Sequence, residues 1–253
     1  MLKQVALGVV SILAFSVVSV HADPKDDVKT ALQTLDNSPS YSWTTTVQGG
    51  FRGGPQEGKT QKDGYTSITM QMRDNTFDII LKGDKAAIKT DSGWKSADEL
   101  MAENADDAGG PPPPERIAAM MARNFKTPVE QAQDNIDNFQ NFQKTDDGYT
   151  ADLTADAAKK MMTFRPRRPA PTTSADGGNA PPPPQIEVTD PKGSVKLTLK
   201  DGNLTQMQFH LTGSVSFNGG DPRDVDRTTT TVIKDVGSTT VDVPDDAKAK
   251  LGS

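Results

Sequence analysis

The chain has 253 residues, of which 34% are hydrophobic and 6% aromatic, and its formal net charge is −6. Because binding to phosphate backbones needs a basic face, this acidic composition argues against a nucleic-acid partner. The sequence contains no cysteine. Disulfides, thiolate nucleophiles, thiolate-rich metal sites and lipid attachment through cysteine are therefore excluded.

The first 22 residues have the pattern of a secretory signal peptide. Lys3 precedes an uncharged stretch over 5–20, and the segment ends in Val20-His21-Ala22 before Asp23. The apolar stretch is shorter than the roughly 20 residues that a bilayer core requires. We therefore expect cleavage near Ala22 and a soluble, periplasmic or secreted protein in which residues 23–253 form a single domain.

The first part of the mature chain predicts a helix followed by an antiparallel meander. Asp23-Pro24 and apolar residues at helical spacing predict a first helix that runs to about Asn37. The hydrophobic period then changes to two, which indicates half-buried strands. Alternating residues place these strands at 41–47, 68–72, 77–81 and 86–88, with Gly83-Asp84 as the hairpin turn before the last of them.

Helices are predicted to interrupt the meander. Ser96 with Glu99 and Thr127 with Glu130 each form a capping box, and each predicts a helix start. The helix after Thr127 is expected to extend to Phe139. The other elements predicted in this part are a short helix with Ile117, Met120 and Met121, strands near Phe142 and at 149–153, and a helix capped by Thr154.

The last part of the chain reads mainly as strands. Two proline-rich segments, at about 104–114 and 165–185, are predicted to be flexible surface insertions. After the second, a long hairpin turns at Asp201-Gly202-Asn203, and its returning strand is expected to bulge or bend at Gly213. Further strands are predicted at 228–234 and 239–243, followed by a terminal helical turn from Pro244.

The sequence offers few residues for catalysis or metal binding. His210 is the only histidine after the leader, so a serine triad or a histidine-rich metal site has no second imidazole. The alternation places it on the polar side of a strand. Asp221, Asp224 and Asp226 lie in a glycine-rich loop, which leaves open whether a cation binds there. We therefore expect a protein that is not an enzyme and has no cofactor, catalytic residue or metal centre.

Methionines occur where the predicted sheet would meet the predicted helices. Met70 and Met72 share a strand face, and Met120 and Met121 belong to a helix. Flexible thioethers adapt to irregular apolar shapes, so such a lining would suit a deformable ligand cavity. The equally weighted alternative is that methionine only fills the gap between the sheet and the helices.

Three stretches of the sequence resemble the bacterial outer-membrane lipoprotein-carrier superfamily, the LolA-like and LppX-like proteins. They are 193–204 with Met207-Gln208-Phe209, 229–237 with 241–244, and Asp147-Gly148-Tyr149 with Leu153-Thr154. The resemblance implies an α+β fold: a strongly curved antiparallel sheet, forming an incomplete β-barrel, with helices packed on its concave face.

The resemblance also implies a function. It suggests an exported protein that binds a lipid or an acylated lipoprotein in an apolar concavity, as a carrier or a sensor. The alternative is a cell-envelope scaffold for protein–protein interactions on the same fold without a bound lipid. The expected partner is a lipid or an acylated protein, with transient contact with a membrane or an envelope protein, and the chain is expected to be a monomer. The residues expected to line the cavity are Trp43, Met70, Met72, Ile79, Leu81, Met120, Met121, Met207 and Phe209.

Overall fold

The computed structural model describes residues 23–49, 55–62, 64–72, 75–103, 112–163 and 185–252. The predicted signal peptide and most of both proline-rich segments lie outside the described residues. Within those ranges, no helix has the length and apolar character needed to cross a membrane.

The described residues form α-helices, β-strands and one short 3-10 turn. The helices are α1 (Pro24–Asp36), α2 (Ala97–Glu103), α3 (Pro114–Arg123), α4 (Pro128–Asn135), α5 (Ala155–Thr163) and α6 (Asp245–Leu251). The strands are β1 (Ser40–Gln48), β2 (Gln56–Gln61), β3 (Thr66–Met72), β4 (Asn75–Lys82), β5 (Lys85–Thr90), β6 (Gly93–Ser96), β7 (Phe139–Thr145), β8 (Gly148–Leu153), β9 (Ile186–Lys200), β10 (Asn203–Phe217) and β11 (Arg223–Lys234).

The eleven strands form one antiparallel sheet in the order β6-β5-β4-β3-β2-β1-β11-β10-β9-β8-β7. The first half of the chain runs from the centre of the sheet to the edge strand β6. The second half starts at the other edge, β7, and returns to the centre, where β11 pairs with β1. The two edges do not pair with each other, so the sheet is open. This confirms the predicted α+β fold with one large antiparallel sheet.

Helices α1 to α5 pack on one face of the sheet, which we call the inner face. Ile79 points to this face and belongs to the main core, which all five helices share. Its neighbour Ile80 points to the opposite, outer face and packs with Ala247 and Leu251 of α6. Because successive strand residues alternate between faces, β4 packs against the main core with one face and against α6 with the other. The terminal helical turn predicted from Pro244 is thus a helix on the outer face.

The long hairpin of β9 and β10 contains the irregularity predicted at Gly213. The pairing register shifts between Thr212 and Ser214, where β9 has one extra residue. Asp190 has a φ of +48° there, and Pro191 follows it. Proline cannot donate to a sheet ladder and is tolerated at bulges. The bulge therefore allows β9 to continue past Pro191 and begin at Ile186, well before the predicted hairpin.

Several predicted boundaries are wrong. The strand predicted at 239–243 does not form, because the Val241 N–H donates to the Gln61 side-chain Oε1 at 3.0 Å rather than to a strand, and Val243 packs on the outer face. The helix predicted to carry Phe139 ends at Asn135, since Phe139 opens β7 and pairs with Leu153.

Strands β2 and β6 were not predicted, and β11 is longer than predicted. The sequence of β2, Gln-Glu-Gly-Lys-Thr-Gln, has no apolar alternation, yet it lies between β1 and β3. Strand β11 begins at Arg223. Asp224 and Asp226, which were expected in a loop, therefore lie on that strand, and only Asp221 precedes it.

Candidate functional site

Eight of the nine expected lining residues belong to, or pack against, one apolar cluster between the inner face and helices α1 to α5, and the ninth, Met120, is buried on α3. Their role as a ligand surface stays a prediction. Six of them are buried, and the other three are partly buried. The buried residues are Trp43, Met70, Ile79, Leu81, Met120 and Met207, and the partly buried ones are Met72, Met121 and Phe209.

Trp43 fills the inner face over β2. A Cβ atom on Gly58 would lie only 2.0 Å from Cζ2 of the Trp43 ring, so the indole lies directly on the strand backbone. The ring also stacks on Phe125 at a centroid distance of 6.2 Å and contacts Tyr41 at 5.7 Å. Aromatic side chains therefore occupy this part of the interior, and a ligand here would have to displace or cover them.

Tyr41 connects this aromatic group to the start of α4. Burial is the main cause that raises the pKa of Tyr41 to about 12, and a hydrogen bond with the Thr127 side chain partly opposes it. Thr127 also caps α4, because its hydroxyl accepts from the Glu130 N–H at 3.4 Å and the Glu130 carboxylate accepts from the Thr127 N–H at 2.7 Å. The capping box predicted from the sequence is thus confirmed, and the hydrogen bond between Tyr41 and Thr127 links β1 to the start of α4.

Helix α3 covers the inner face with small and flexible side chains. It buries Ala118, Ala119, Met120 and Ala122. Its N-cap, Pro113, makes no side-chain hydrogen bond to the first turn. The free energy gained by burial is proportional to the apolar area removed from water. A helix that buries mainly methyl groups is therefore held less firmly than one that buries leucines.

Arg227 is a charged residue on the inner face that the sequence analysis did not identify. It lies on β11 opposite Leu211, which is only 1% exposed. One guanidinium nitrogen, Nη2, donates to the Met161 carbonyl oxygen at 3.0 Å. The Nε atom is buried and has no hydrogen-bond partner among the residues that the structure describes. A strand predicted to start at 223 instead of 228 would have placed Arg227 on the same face as Val225.

The outer face of β7 to β10 carries a small polar groove with a volume of about 140 Å³. Some of its polar side chains form hydrogen bonds with one another or with residues beside the groove. Asn141 Nδ2 donates to Asp152 at 2.9 Å, and His210 Nε2 lies 2.9 Å from Asp226 Oδ1. The residues that line it are Asn141, Gln143, Thr150, Ala151, Asp152, Ser194, Val195, Lys196, Gln208 and His210. His210 thus lies on the polar side of its strand, as predicted.

The acidic residues Asp221, Asp224 and Asp226 are not brought together as a metal site. Within the part of the chain that the structure describes, no group of three or more histidine, aspartate or glutamate side chains is arranged to hold a metal ion. Asp226 instead contacts His210.

The comparisons with known proteins concern the fold. No family model and no curated protein matches the sequence. The structure is similar to that of the Mycobacterium tuberculosis lipoprotein LppX, with a TM-score of 0.47 and 9% identity over 87% of this chain and 98% of that chain. It is also similar to LprF from Mycobacterium bovis, with a TM-score of 0.44 and 9% identity over 89% and 97% of the two chains.

Proposed function

We propose that this protein is an exported, non-enzymatic protein that binds a lipid or an acylated protein between the inner face of its sheet and the helices that cover this face. The observation that supports this most directly is the composition of that contact. Met70, Met72, Met101 and Met121 belong to or pack against the same apolar cluster, and Met120 is buried on α3. Thioether side chains can change rotamer and repack around an apolar guest at low cost.

The free energy gained by burying an acyl chain is similar in size to the free energy that holds α3 on the sheet. Burying an acyl chain yields about 0.8 kcal/mol per methylene, so about ten methylenes yield about 8 kcal/mol. On the same scale, the three buried alanine methyl groups and the buried methionine of α3 represent roughly 5 kcal/mol. An acyl chain of ordinary length would therefore offset the separation of α3 from the sheet.

The second candidate function is a cell-envelope scaffold that binds another protein without a lipid. The burial of Trp43, Ile79 and Met207, which are at most 2% exposed, favours this alternative. If α3 never leaves the sheet, these residues are an ordinary core. The two functions therefore differ in one measurable property, the occupancy of the interior by an acyl chain.

Native mass spectrometry of the protein purified from the periplasmic fraction, with lipid extraction of the same sample, tests the proposal. We expect an intact mass that corresponds to a chain starting at Asp23, together with co-purifying acyl species. A protein that is consistently free of lipid, and that also binds no added fatty acid, would favour the scaffold.

A matched pair of variants locates the binding surface. Phe209 faces the interior, where its ring centroid lies 6.1 Å from that of Phe139, whereas His210 faces the outer side. Phe209→Asn should weaken acyl-chain binding at least about tenfold, while His210→Asn on the same strand should leave it unchanged. Circular dichroism and thermal melting of both variants control for folding, and equal binding by the two would contradict the interior site.

A further inference from the structure

The charges at one end of β11 are divided between the two faces of the sheet. Arg223, Val225 and Arg227 alternate with Asp224 and Asp226. Val225 and Arg227 lie on the inner face, since Arg227 is opposite the buried Leu211, and the two aspartates are exposed on the outer face. The inner face therefore has a positive end, although the whole chain is acidic.

Arg227 is the group at this end that lies deepest. It is half-buried, and its Nε is inaccessible to solvent and has no hydrogen-bond partner among the described residues. Burial lowers the pKa of Arg227, and no carboxylate in the described ranges forms an ion pair with it. A buried donor without a partner costs about 1–3 kcal/mol, and more when it is charged. A buried donor that the fold leaves unsatisfied calls for an explanation, and a ligand that supplies the acceptor is one.

The neighbours of Arg227 are apolar on two sides. Leu211 is its cross-strand partner, and Val225 precedes it on the same face. Met162 packs against both the main core and the smaller core that contains Val225, so it joins the two clusters near this position. The one described hydrogen bond, to the Met161 carbonyl, is to a neutral acceptor and leaves the guanidinium charge uncompensated. A cation that borders a continuous apolar surface is complementary to an anionic group at the end of an acyl chain.

We propose that Arg227 binds the anionic head group, a carboxylate or a phosphate, of the acyl ligand whose chain lies against the inner face. This inference rests on the proposed function and names the class of ligand for the same interior. When the ligand displaces the Met161 carbonyl and uncovers Nε, the guanidinium presents Nε and Nη2 in a fork that matches two oxygens of a carboxylate or phosphate. The head group supplies both the missing acceptor for Nε and the missing negative charge, so an uncharged lipid of the same length binds less tightly.

Isothermal titration calorimetry with a series of twelve-carbon ligands tests the inference on the mature chain. Laurate and dodecyl phosphate carry an anion, and dodecanol has the same chain without a charge. We expect the wild type to bind at least one of the anions ten times or more tighter than dodecanol. Laurate as the better ligand identifies a carboxylate head group, and dodecyl phosphate as the better ligand identifies a phosphate.

Three variants assign the preference to Arg227. Arg227→Gln should lose the preference for the anions and bind dodecanol as the wild type does, while Arg227→Lys should retain part of it. Lys234→Gln removes one positive charge from the exposed end of the same strand and should keep the full preference. Thermal melting shows whether each variant is folded, and Arg227→Lys keeps the charge if Arg227→Gln does not fold.

The results separate this inference from the proposed function. A wild type that binds dodecanol and the anions equally would overturn the role of Arg227 and leave the acyl-binding function intact. An equal loss of preference in Lys234→Gln and Arg227→Gln would overturn it too, since the effect would then come from net charge. A wild type that binds none of the ligands would overturn both proposals.

Discussion

Helices α1 and α3 both cover the inner face of the sheet, but they are fastened to it differently. Helix α1 buries Val28, Leu32 and Leu35 as well as Ala31, and it begins with a side-chain cap in which the Lys25 N–H donates to Asp23 at 3.0 Å. Helix α3 buries alanines and one methionine and has no such cap. The inner face therefore has one wall that is firmly packed and another that can be separated at lower cost, and the proposed entry of an acyl chain would use the second wall.

The largest effect is expected where α1 is packed most tightly. Leu32 is 1% exposed and belongs to the main core. Leu32→Ala removes its buried side chain and leaves a cavity, which should lower the free energy of unfolding by about 2–5 kcal/mol. Urea denaturation followed by circular dichroism measures this change. A loss well below 1 kcal/mol would show that α1 is no more firmly held than α3.

A smaller and local effect is expected from overpacking α3. Ala119 is fully buried. Ala119→Leu adds three carbon atoms to a filled site, which typically costs about 1–3 kcal/mol. We expect the backbone amides of α3 to exchange with deuterium faster, while those of α1 keep their protection. Faster exchange in both helices would show that the inner face opens as one unit and would contradict the comparison.

The attachment of α1 also depends on a polar contact. The Tyr149 hydroxyl donates a hydrogen bond to the Asp27 carboxylate at 2.5 Å, and this bond is the main cause that raises the pKa of Tyr149 to about 12. Tyr149→Phe should lower the free energy of unfolding by roughly 1.5 kcal/mol. The matched control is Tyr65→Phe, which should have less effect. Tyr65 packs on the outer face against the cluster that contains Ile80 and Leu251. Equal losses in the two variants would show that the bond to Asp27 adds nothing.

Patterns within a strand or a helix end were predictable from the sequence. The alternation around Met70 and the capping boxes of α2 and α4 use only neighbouring residues, so the sequence contains the whole signal. Strand β2 could not be found in this way, because its place in the sheet comes from its backbone partners and its central Gly58 is selected by the Trp43 ring above it.

The candidate site was predictable only in its apolar part. Period-two spacing placed Met70, Met72, Met207 and Phe209 on the buried face of their strands, and Met120 and Met121 were assigned to a predicted helix. Arg227 was missed, since the strand was expected to start at 228 and a lone arginine in a polar stretch gives no sign of its burial. The orphaned Nε depends on Met161 and its neighbours, which are distant in the sequence.

The smallest effect is expected from the contact between Glu99 of α2 and helix α6, which packs on the outer face. Its carboxylate accepts from Lys250 of α6 at 2.7 Å and from the Ser96 N–H at 2.6 Å. The hydrogen bond from Lys250 is the largest cause that lowers the pKa of Glu99 to about 2. A carboxyl whose pKa is lower in the folded state stabilises the fold above its ordinary pKa of 4.5, and this contribution is lost as the pH falls toward 2. Because both side chains are partly exposed, the effect is small.

Glu99→Gln should therefore melt slightly below the wild type at pH 6, and the difference should vanish near pH 2. A difference that stays constant between these two pH values would mean that the charge of Glu99 does not hold α6 to α2.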